Sequence, residues 1–220
     1  MVMTMAQAPE LTVVYQDDDL LVLDKPTGLL SVPGRGLDKQ DCLSRRAQAL
    51  YPDALVVHRL DMATSGLMLF ARSPVAQRAL SLAFAERRIT KRYVAMVVGH
   101  LATPAQEWGV IDLPIGADWH QRPLRKIDHQ LGKASVTRWR VLGSGPDQRA
   151  TRLELEPETG RSHQLRVHLL ALGHPILGDA LYGSPEVQVM ATRLMLHASS
   201  LAFKHPVSKQ PLQFASPVDF

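Results

Sequence analysis

The sequence predicts an α+β fold built on a largely antiparallel sheet. Segments with strand-like alternation, or with many β-branched and aromatic residues, recur in runs along the 220 residues, and only a few helical segments separate them. Strands that come in runs pair through short turns, whereas regular alternation of strand and helix would indicate a parallel sheet. With 45% hydrophobic residues the chain can bury one sizeable core, so we expect residues 1–220 to form a single domain.

The first part of the chain is predicted to be rich in strands. The predicted elements are two strands on either side of the polar turn Gln16–Asp19, a helix over Asp41–Leu50, and strands over Leu55–Leu60 and Leu67–Ala71. The segment Asp61–Gly66 connects the last two strands. The sequence therefore places Asp61 at the end of a strand.

A second helix is expected to begin at Ser73, which can cap it, and Pro74, which suits the first helical position, and to end near Arg87. The remaining predictions are strands over Tyr93–Val98, Ser135–Leu142, Arg149–Leu155, Leu201–Phe203 and Leu212–Phe214, a turn over residues 143–148, and a helix over Ser162–Leu172. Gly173 suits the position just past the end of that helix.

Basic residues are concentrated in two groups. Lysine and arginine number 25 against 21 acidic residues, which gives a formal charge of +4. The groups are Arg87, Arg88, Lys91 and Arg92, and Arg122, Arg125 and Lys126. Clustered cations suit a polyanion such as RNA or DNA, but they also occur as ordinary solvated surface. Charge alone therefore does not decide between a nucleic acid and no partner.

Several classes of function have no support in the sequence. Cys42 is the single cysteine, which excludes an intramolecular disulfide and fits a reducing, cytoplasmic location. Residues 1–10 do not resemble a signal peptide, and no stretch approaches the roughly 18 apolar residues that a membrane span needs. His163 and His168 lack the i, i+4 spacing of a zinc-binding helix, and no phosphate-binding glycine motif is present. We therefore expect no metal and no cofactor.

Asp61 lies in the segment HRLDMATSG, close to an arginine and to two hydroxyl side chains. An aspartate in such a short connection is commonly a turn former that hydrogen-bonds to its own backbone. The other interpretation is a catalytic carboxylate, since functional residues are concentrated on connections held by a rigid scaffold.

Arg166 is predicted to be at least partly buried, because apolar residues surround it in HQLRVHLLALG. A buried guanidinium requires an anionic partner. Asp61 is one suitable partner, and pairing would keep its carboxylate ionised; Glu154 and Glu156 are structural alternatives. Tyr93 follows two cations in TKRYVAMVVG, where its ring could stack on a base or simply pack within a strand.

Five motifs resemble, in order and spacing, those of the RluA family of pseudouridine synthases. They are LDKPTGLLSVPG, VHRLDMATSGLMLFA, KRYVAMVVG, TGRSHQLRVHLLALGHPILGD and RLMLHASSLAF. The resemblance covers nearly the whole chain, and its longest strings do not depend on composition. It implies an enzyme that isomerises uridine to pseudouridine in structured RNA without a cofactor.

The resemblance implies roles for individual residues. Asp61 matches the family's catalytic aspartate, Tyr93 its motif tyrosine and Arg166 its motif arginine, while Arg59 matches a residue that occupies the place left by the flipped base. The predicted RNA contacts are His58, Arg59, Arg87, Arg88, Lys91, Arg92, Arg122, Arg125, Lys126 and Arg161.

The resemblance also implies the architecture and the partners. The expected pseudouridine synthase fold has a mixed, largely antiparallel sheet with flanking helices and loops around a central RNA-binding cleft. The motifs begin too early for the S4-like RNA-binding domain of many relatives, and this short form implies 23S rRNA and tRNA anticodon stem-loops as substrates. We expect a monomer without metal or membrane contact. Asp24 stands where relatives commonly have asparagine, and the sequence gives no account of it.

The sequence leaves the chemistry and two other functions open. Asp61 could attack the ribose C1′ or remove a ribose proton. An RNA-binding module without chemistry would use Asp61 only as a turn former. A glycoside hydrolase would need carboxylates in pairs, and only Asp61 has a suitable setting.

Overall fold

The computed structural model describes residues 11–104, 107–145 and 149–220 and confirms the predicted α+β class. The strands are Thr12–Gln16 (β1), Leu20–Lys25 (β2), Leu55–Val56 (β3), Ser65–Ala71 (β4), Thr90–Val98 (β5), Gly109–Asp112 (β6), Ile115–Ala117 (β7), Arg125–Ile127 (β8), Val136–Ser144 (β9), Ala150–Pro157 (β10), Leu196–Lys204 (β11) and Pro211–Ala215 (β12). The helices are Leu43–Leu50 (α1), Pro74–Ala85 (α2), Gln164–Ala171 (α3), Pro185–Val189 (α4) and a short 3-10 turn at Leu37–Lys39.

Ten of these strands form one sheet in the order β1-β2-β4-β11-β5-β10-β9-β6, with β3 beside β4 and β12 beside β11. The pair β4 and β11 is parallel, and the other pairs in this sheet are antiparallel. The strands β7 and β8 form a separate hairpin. The predicted mixed, largely antiparallel sheet is therefore confirmed.

The strands β2 and β4 are buried on both faces. The alternation in β2 sends Leu20 and Val22 to the core under α2, and Leu21 and Leu23 to the core under α1. This explains why these segments are continuously apolar in the sequence instead of alternating with polar residues. The two cores fix the position at which β4 begins, just after the segment that contains Asp61.

The strands β5, β10 and β9 are buried under α3 on one face and carry charged residues on the other. Leu153 and Leu155 of β10 pack with Leu165 and Leu169 of α3. On the opposite face, arginine and glutamate side chains alternate across the strands as ion pairs. These pairs join Arg92 to Glu154 and Glu156, Arg138 to Glu156, and Arg140 to Glu154 and Glu107.

Several predicted boundaries were wrong in an informative way. The strand expected over Leu55–Leu60 ends at Val56, so Asp61 lies in a loop and not at a strand end. The sequence also did not predict β6, the β7–β8 hairpin or α4, which are short and have weak periodic patterns. Of the predicted turn over residues 143–148, Pro146–Gln148 lie outside the described residues, as does the 1–10 segment. Among the described helices, none has the length and apolar content to cross a bilayer.

Gly66 allows the close approach of the parallel pair β4 and β11. Its φ is 108°, and a Cβ at this position would overlap the carbonyl oxygen of Ala198. An L side chain would therefore meet both backbone strain and a steric clash. The glycine of the TSG string is required by the sheet that supports the Asp61 loop.

A buried chain of hydrogen bonds lies beside this junction and accounts for Asp24. The Arg193 guanidinium donates to Ser65 Oγ (2.7 Å), and the Ser65 hydroxyl lies 2.9 Å from His197 Nδ1. His197 Nε2 lies 2.9 Å from Ser216 Oγ, whose hydroxyl donates to the Asp24 carboxylate. Since Ser216 donates its hydrogen to Asp24, it accepts from His197 Nε2–H, and burial lowers the pKa of His197, so that the ring is neutral with its proton on Nε2. Asp24 is thus the terminal acceptor of a structural network.

His58, one of the predicted RNA contacts, is fixed within the fold by its Nε2, which accepts the Leu69 N–H at 2.9 Å. Its ring packs against Phe84 with a centroid distance of 4.6 Å. Burial, with a smaller effect of the Lys91 charge, lowers the pKa of His58 to about 3. The folded state therefore holds a neutral imidazole that an unfolded chain would protonate near pH 6.5.

This difference predicts that acid weakens the fold through His58. The unfolded chain binds the extra proton below pH 6.5, so the stabilisation is complete above that value and is lost as the pH falls toward 3. Between pH 7 and pH 5 the free energy of unfolding should fall by about 2 kcal/mol more in the native chain than in His58→Gln. Urea unfolding at the two pH values measures this; an equal fall in both proteins would contradict the assignment.

Candidate active site

Asp61 lies in the loop between β3 and β4, with its carboxylate facing a pocket. Its backbone carbonyl accepts the Thr64 N–H at 3.1 Å, which closes a tight turn. The carboxylate does not cap this turn itself, and about a fifth of the side chain is exposed. The turn-former interpretation is therefore satisfied by the backbone alone, which leaves the carboxylate available for chemistry.

Lys25, at the end of β2, holds this loop from beneath. Its side chain is fully buried, and its ammonium donates to the carbonyls of Pro26 (2.8 Å), Leu29 (2.7 Å) and Met62 (3.0 Å). Burial lowers the pKa of Lys25 to about 8, against the opposing effect of the Asp61 charge. A buried cation thus fixes the backbone next to Asp61 and contributes positive potential there.

The LDKPTGLLSVPG segment forms further hydrogen bonds to the same loop. The Gly28 N–H donates to the Met62 carbonyl at 2.9 Å, and Thr27 Oγ1 donates to the Ala63 carbonyl at 2.8 Å. Ser31 Oγ donates to the Leu60 carbonyl and accepts the Leu60 N–H. Backbone on both sides of Asp61 is consequently fixed, which is what a residue with defined geometry requires.

Arg166, from α3, is buried as predicted, but its principal partner is one that the sequence analysis did not propose. Its Nε and Nη2 donate to the two oxygens of Asp179 at 2.8 and 2.5 Å. Its Nη1 lies 3.7 Å from Asp61 Oδ2. Glu154 and Glu156, the proposed alternatives, lie among the ion pairs on the opposite face of the sheet. Arg166 therefore faces Asp61 while Asp179 satisfies most of its charge.

His163 faces the other oxygen of Asp61. It precedes α3 with φ at 57°, and its Nε2 lies 3.9 Å from Asp61 Oδ1. Its Nδ1 lies 2.7 Å from the Tyr182 hydroxyl, which also accepts the Arg125 N–H at 2.9 Å. Burial, assisted by the charge of Arg166, lowers the pKa of His163, against the opposing effect of Asp61. His163 is consequently neutral near pH 7.

Tyr93 and Lys91, two residues apart on β5, point into the same pocket as Asp61. Burial and the negative charge of Asp61 raise the pKa of Tyr93, so its hydroxyl stays protonated. Leu60, Leu165 and Leu196 supply the apolar walls of this pocket. The predicted residues Asp61, Tyr93 and Arg166 are thus brought together.

The pocket opens into a longer cleft. One branch of this cleft continues past His58, Arg59, Arg87 and Lys91, and another continues along the β7–β8 hairpin. All three share Gly160 and Arg161 of the loop before α3. Segments far apart in sequence therefore line one continuous surface.

Most of the predicted RNA contacts lie along this cleft. Arg59, Arg87, Lys91, Arg125, Lys126 and Arg161 all line it. Arg92 does not: the alternation of β5 sends it to the opposite face, where it pairs with Glu154 and Glu156. Arg88 is exposed and pairs with Glu86. The compact sequence group from Arg87 to Arg92 is therefore divided between two faces.

Trp119, which the sequence analysis did not select, lies on the loop between β7 and β8. It is 69% exposed, and the Arg122 guanidinium stacks on its ring at 4.1 Å from the centroid. Lys126 and Lys133 line the same part of the cleft. An exposed indole among cations is the arrangement by which proteins stack unpaired bases.

One cluster of three residues with metal-ligating atoms is present among the described residues, at the β1–β2 and β11–β12 turns. It consists of Asp17, Asp19 and His205. His205 Nδ1 accepts the N–H groups of Val207 and Ser208, so its proton lies on Nε2 and is directed at Asp17. A protonated nitrogen cannot ligate a metal. These residues are explained by hydrogen bonding between two turns.

The sequence did not predict the roles of four residues at this site, Lys25, His163, Asp179 and Tyr182. The first two lie within the quoted motifs, and Asp179 ends one of them, but nothing in their spacing showed which side chains meet. The pairing of Arg166 could have been predicted from the segment ILGDALYG. Its aspartate, Asp179, lies among apolar residues and needs a cation, just as Arg166 needs an anion.

Comparison with known proteins places this site in a family. The family profile described as RNA pseudouridylate synthase matches residues 19–171. The protein named dual-specificity RNA pseudouridine synthase RluA from Escherichia coli O6:H1 is 50% identical over 97% of this chain and 96% of its own length. The protein of the same name from Yersinia pestis is 49% identical over 94% of this chain and 99% of its own length.

Solved structures support the same assignment. The human RNA pseudouridylate synthase domain containing 1 superposes with a TM-score of 0.78 at 31% identity, covering 98% of this chain and 86% of its own. The human domain containing 4 superposes with a TM-score of 0.72 at 27% identity, covering 94% and 88%. The chain belongs to the RluA family and is an RNA pseudouridine synthase, an enzyme that isomerises uridine to pseudouridine in RNA.

Proposed function

We propose that Asp61 is the catalytic carboxylate of this enzyme and that Arg166 and Tyr93 complete its active site. One observation carries the proposal: the Asp61 carboxylate faces the pocket, with Arg166 at 3.7 Å from one oxygen and His163 at 3.9 Å from the other. Asp61 is the single acidic residue among the described residues that line this pocket. A pair of carboxylates, which a glycoside hydrolase would use, is not supported by this arrangement.

The reaction breaks the bond between uracil N1 and ribose C1′, turns the base, and joins C1′ to carbon 5. Attack on C1′ and removal of a ribose proton both begin with an ionised carboxylate. Arg166 Nη1, 3.7 Å from Asp61 Oδ2, and the buried ammonium of Lys25 supply positive charge beside this carboxylate. These residues therefore hold Asp61 ready for either route.

Tyr93 is proposed to stack on the uracil. Its ring lines the same pocket as Asp61, and a neutral phenol retains full stacking capacity. Removal of the carbon 5 proton by Tyr93 would first require loss of the tyrosine's own proton. The raised pKa of Tyr93 opposes that loss, so its setting favours stacking over action as a base.

The long cleft is proposed to bind the RNA around the target nucleotide. A uridine inside a stack cannot reach Asp61, so it must turn out of the RNA into the pocket, at a cost of a few kcal/mol. Arg59 is exposed at the pocket entrance, where it can occupy the position that the base leaves. Lys91, Arg161 and Lys126 are proposed phosphate contacts, and Trp119 is proposed to stack on an unpaired base.

We propose 23S rRNA and tRNA anticodon stem-loops as the substrates. The chain matches proteins named dual-specificity RNA pseudouridine synthases over almost their whole length. Loops are suitable targets because their bases leave the stack at lower cost than paired bases. A cytoplasmic location and a monomeric state stay predictions.

The first test removes the charge of Asp61. Asp61→Asn should abolish tritium release from RNA labelled at uracil carbon 5, because the amide cannot react at ribose, while RNA affinity changes by less than about threefold. Asp18→Asn, an exposed aspartate in the β1–β2 turn, is the matched control and should retain full activity. Turnover by the Asp61 variant would refute the assignment, and an inactive native protein would favour a binding module.

The second test concerns the substrates. Pseudouridine mapping of 23S rRNA and tRNA from a strain that lacks this protein should show a missing modification in both RNA classes, each restored by the native gene. The Asp61→Asn gene should restore neither site. Loss from one class alone would limit the enzyme to that RNA.

The third test probes the cleft electrostatically. Lys126→Ala should weaken RNA binding and reduce the slope of log affinity against log salt by about 0.7 to 1, the value for one phosphate contact. Arg138→Ala is the control, since Arg138 lies on the opposite face of the sheet, paired with Glu156. Equal slopes for Lys126→Ala and the native protein would remove Lys126 from the RNA path.

A further inference from the structure

The turn that begins at Asp179 contacts the two residues that face the oxygens of Asp61. Asp179 fixes the Arg166 guanidinium, which faces Asp61 Oδ2. Three residues later, Tyr182 contacts His163, which faces Asp61 Oδ1. The Asp179 carboxylate also accepts the Tyr182 N–H at 3.1 Å, so the two partners are themselves joined.

The Tyr182 hydroxyl determines which nitrogen of His163 carries the proton. That hydroxyl accepts the Arg125 N–H at 2.9 Å, and its own hydrogen remains to be donated. His163 Nδ1, at 2.7 Å, is the acceptor within reach, which leaves the imidazole proton on Nε2. The opposite tautomer would direct the Nε2 lone pair at the Asp61 carboxylate, which is a repulsive arrangement.

We propose that His163 is a positioning residue for Asp61, with Tyr182 acting through it: the Nε2–H of His163 donates to Asp61 Oδ1 when RNA fills the site. The present separation of 3.9 Å is about 1 Å longer than a hydrogen bond, and catalytic contacts commonly shorten on substrate binding. With one oxygen held by His163, the other is turned toward the ribose beside Arg166. This inference rests on the proposed catalytic role of Asp61.

The backbone and the surroundings support a dedicated role for His163. A non-glycine residue at a φ of 57° is uncommon, and such strain is concentrated at functional sites. The Tyr182 ring lies against the Arg166 guanidinium at 5.0 Å and meets the His163 ring edge-on at 5.6 Å. The charged groups that face His163 are Asp61, Arg166, Arg125 and Asp179.

Three substitutions separate this role from a structural one. His163→Asn suits the left-handed backbone and keeps a polar group near Nδ1, but it has no donor at the Nε2 position. His163→Gln can place an amide N–H near the position of Nε2. Tyr182→Phe removes the hydroxyl and keeps the ring against Arg166.

The expected result is a loss of kcat without a loss of RNA affinity. His163→Asn and Tyr182→Phe should each lower kcat about 10- to 100-fold, as removal of one hydrogen bond to a charged group implies, with KM within about twofold. His163→Gln should recover at least part of kcat. The double variant of His163→Asn and Tyr182→Phe should be no slower than the slower single variant, because both changes remove the same hydrogen bond.

Native kcat in His163→Asn, or multiplicative losses in the double variant, would overturn the inference. Thermal melting of each variant identifies losses of kcat that come from unfolding. If Tyr182→Phe does not fold, the ratio of kcat between His163→Gln and His163→Asn still tests the inference. Asp61→Asn in the same assay separates the two proposals. If Asp61→Asn is inactive and His163→Asn is fully active, only the role of His163 is refuted. If Asp61→Asn turns over RNA, the proposed catalytic role of Asp61 is refuted as well.

Discussion

The site depends on the buried ion pair between Arg166 and Asp179. A guanidinium with only 4% of its side chain exposed would destabilise the fold without an anion held by good hydrogen bonds. Asp179 supplies both the negative charge and the hydrogen bonds, and its carboxylate is fixed in turn by the N–H groups of Leu181 and Tyr182. Because Asp179 satisfies Arg166, Asp61 need not do so. Asp61 lies within the field of a cation and keeps the freedom to move toward a substrate.

The loop of Asp61 is held by backbone contacts rather than by contacts to the carboxylate. Lys25 donates to three carbonyls, one of them that of Met62, directly after Asp61. On the other side, Gly66 permits β4 to approach β11 so closely that the loop has a fixed exit. The protein thus places its constraints on the neighbours of the proposed catalytic carboxylate, which orients Asp61 while its two oxygens stay free.

The sequence predicted the α+β class and three residues that meet in the pocket, because apolar periodicity and long motifs are local properties. It did not predict that Arg166 pairs with Asp179, since that contact depends on how the chain returns after α3. The boundary error at Leu55–Leu60 has a similar cause: residues 57–60 are apolar or basic because they line the cleft and cover the core, not because they pair in a sheet. An apolar pattern shows that residues are buried, but residues can be buried in a loop that covers the core as well as in a strand.

The net charge of the chain must be interpreted together with the distribution of charged side chains over the two faces of the sheet. Arg92, Arg138 and Arg140 are matched by glutamates on one face of the sheet, whereas the cleft on the other face gathers cations with few acids. A formal charge of +4 therefore understates the local field that an RNA meets, because the acids that balance it lie largely elsewhere. Since β5 contributes Arg92 to one face and Lys91 to the other, the same short run of basic residues serves both stability and the cleft. A run of basic residues can therefore be assigned to RNA binding only when the face of the sheet on which each residue lies is known.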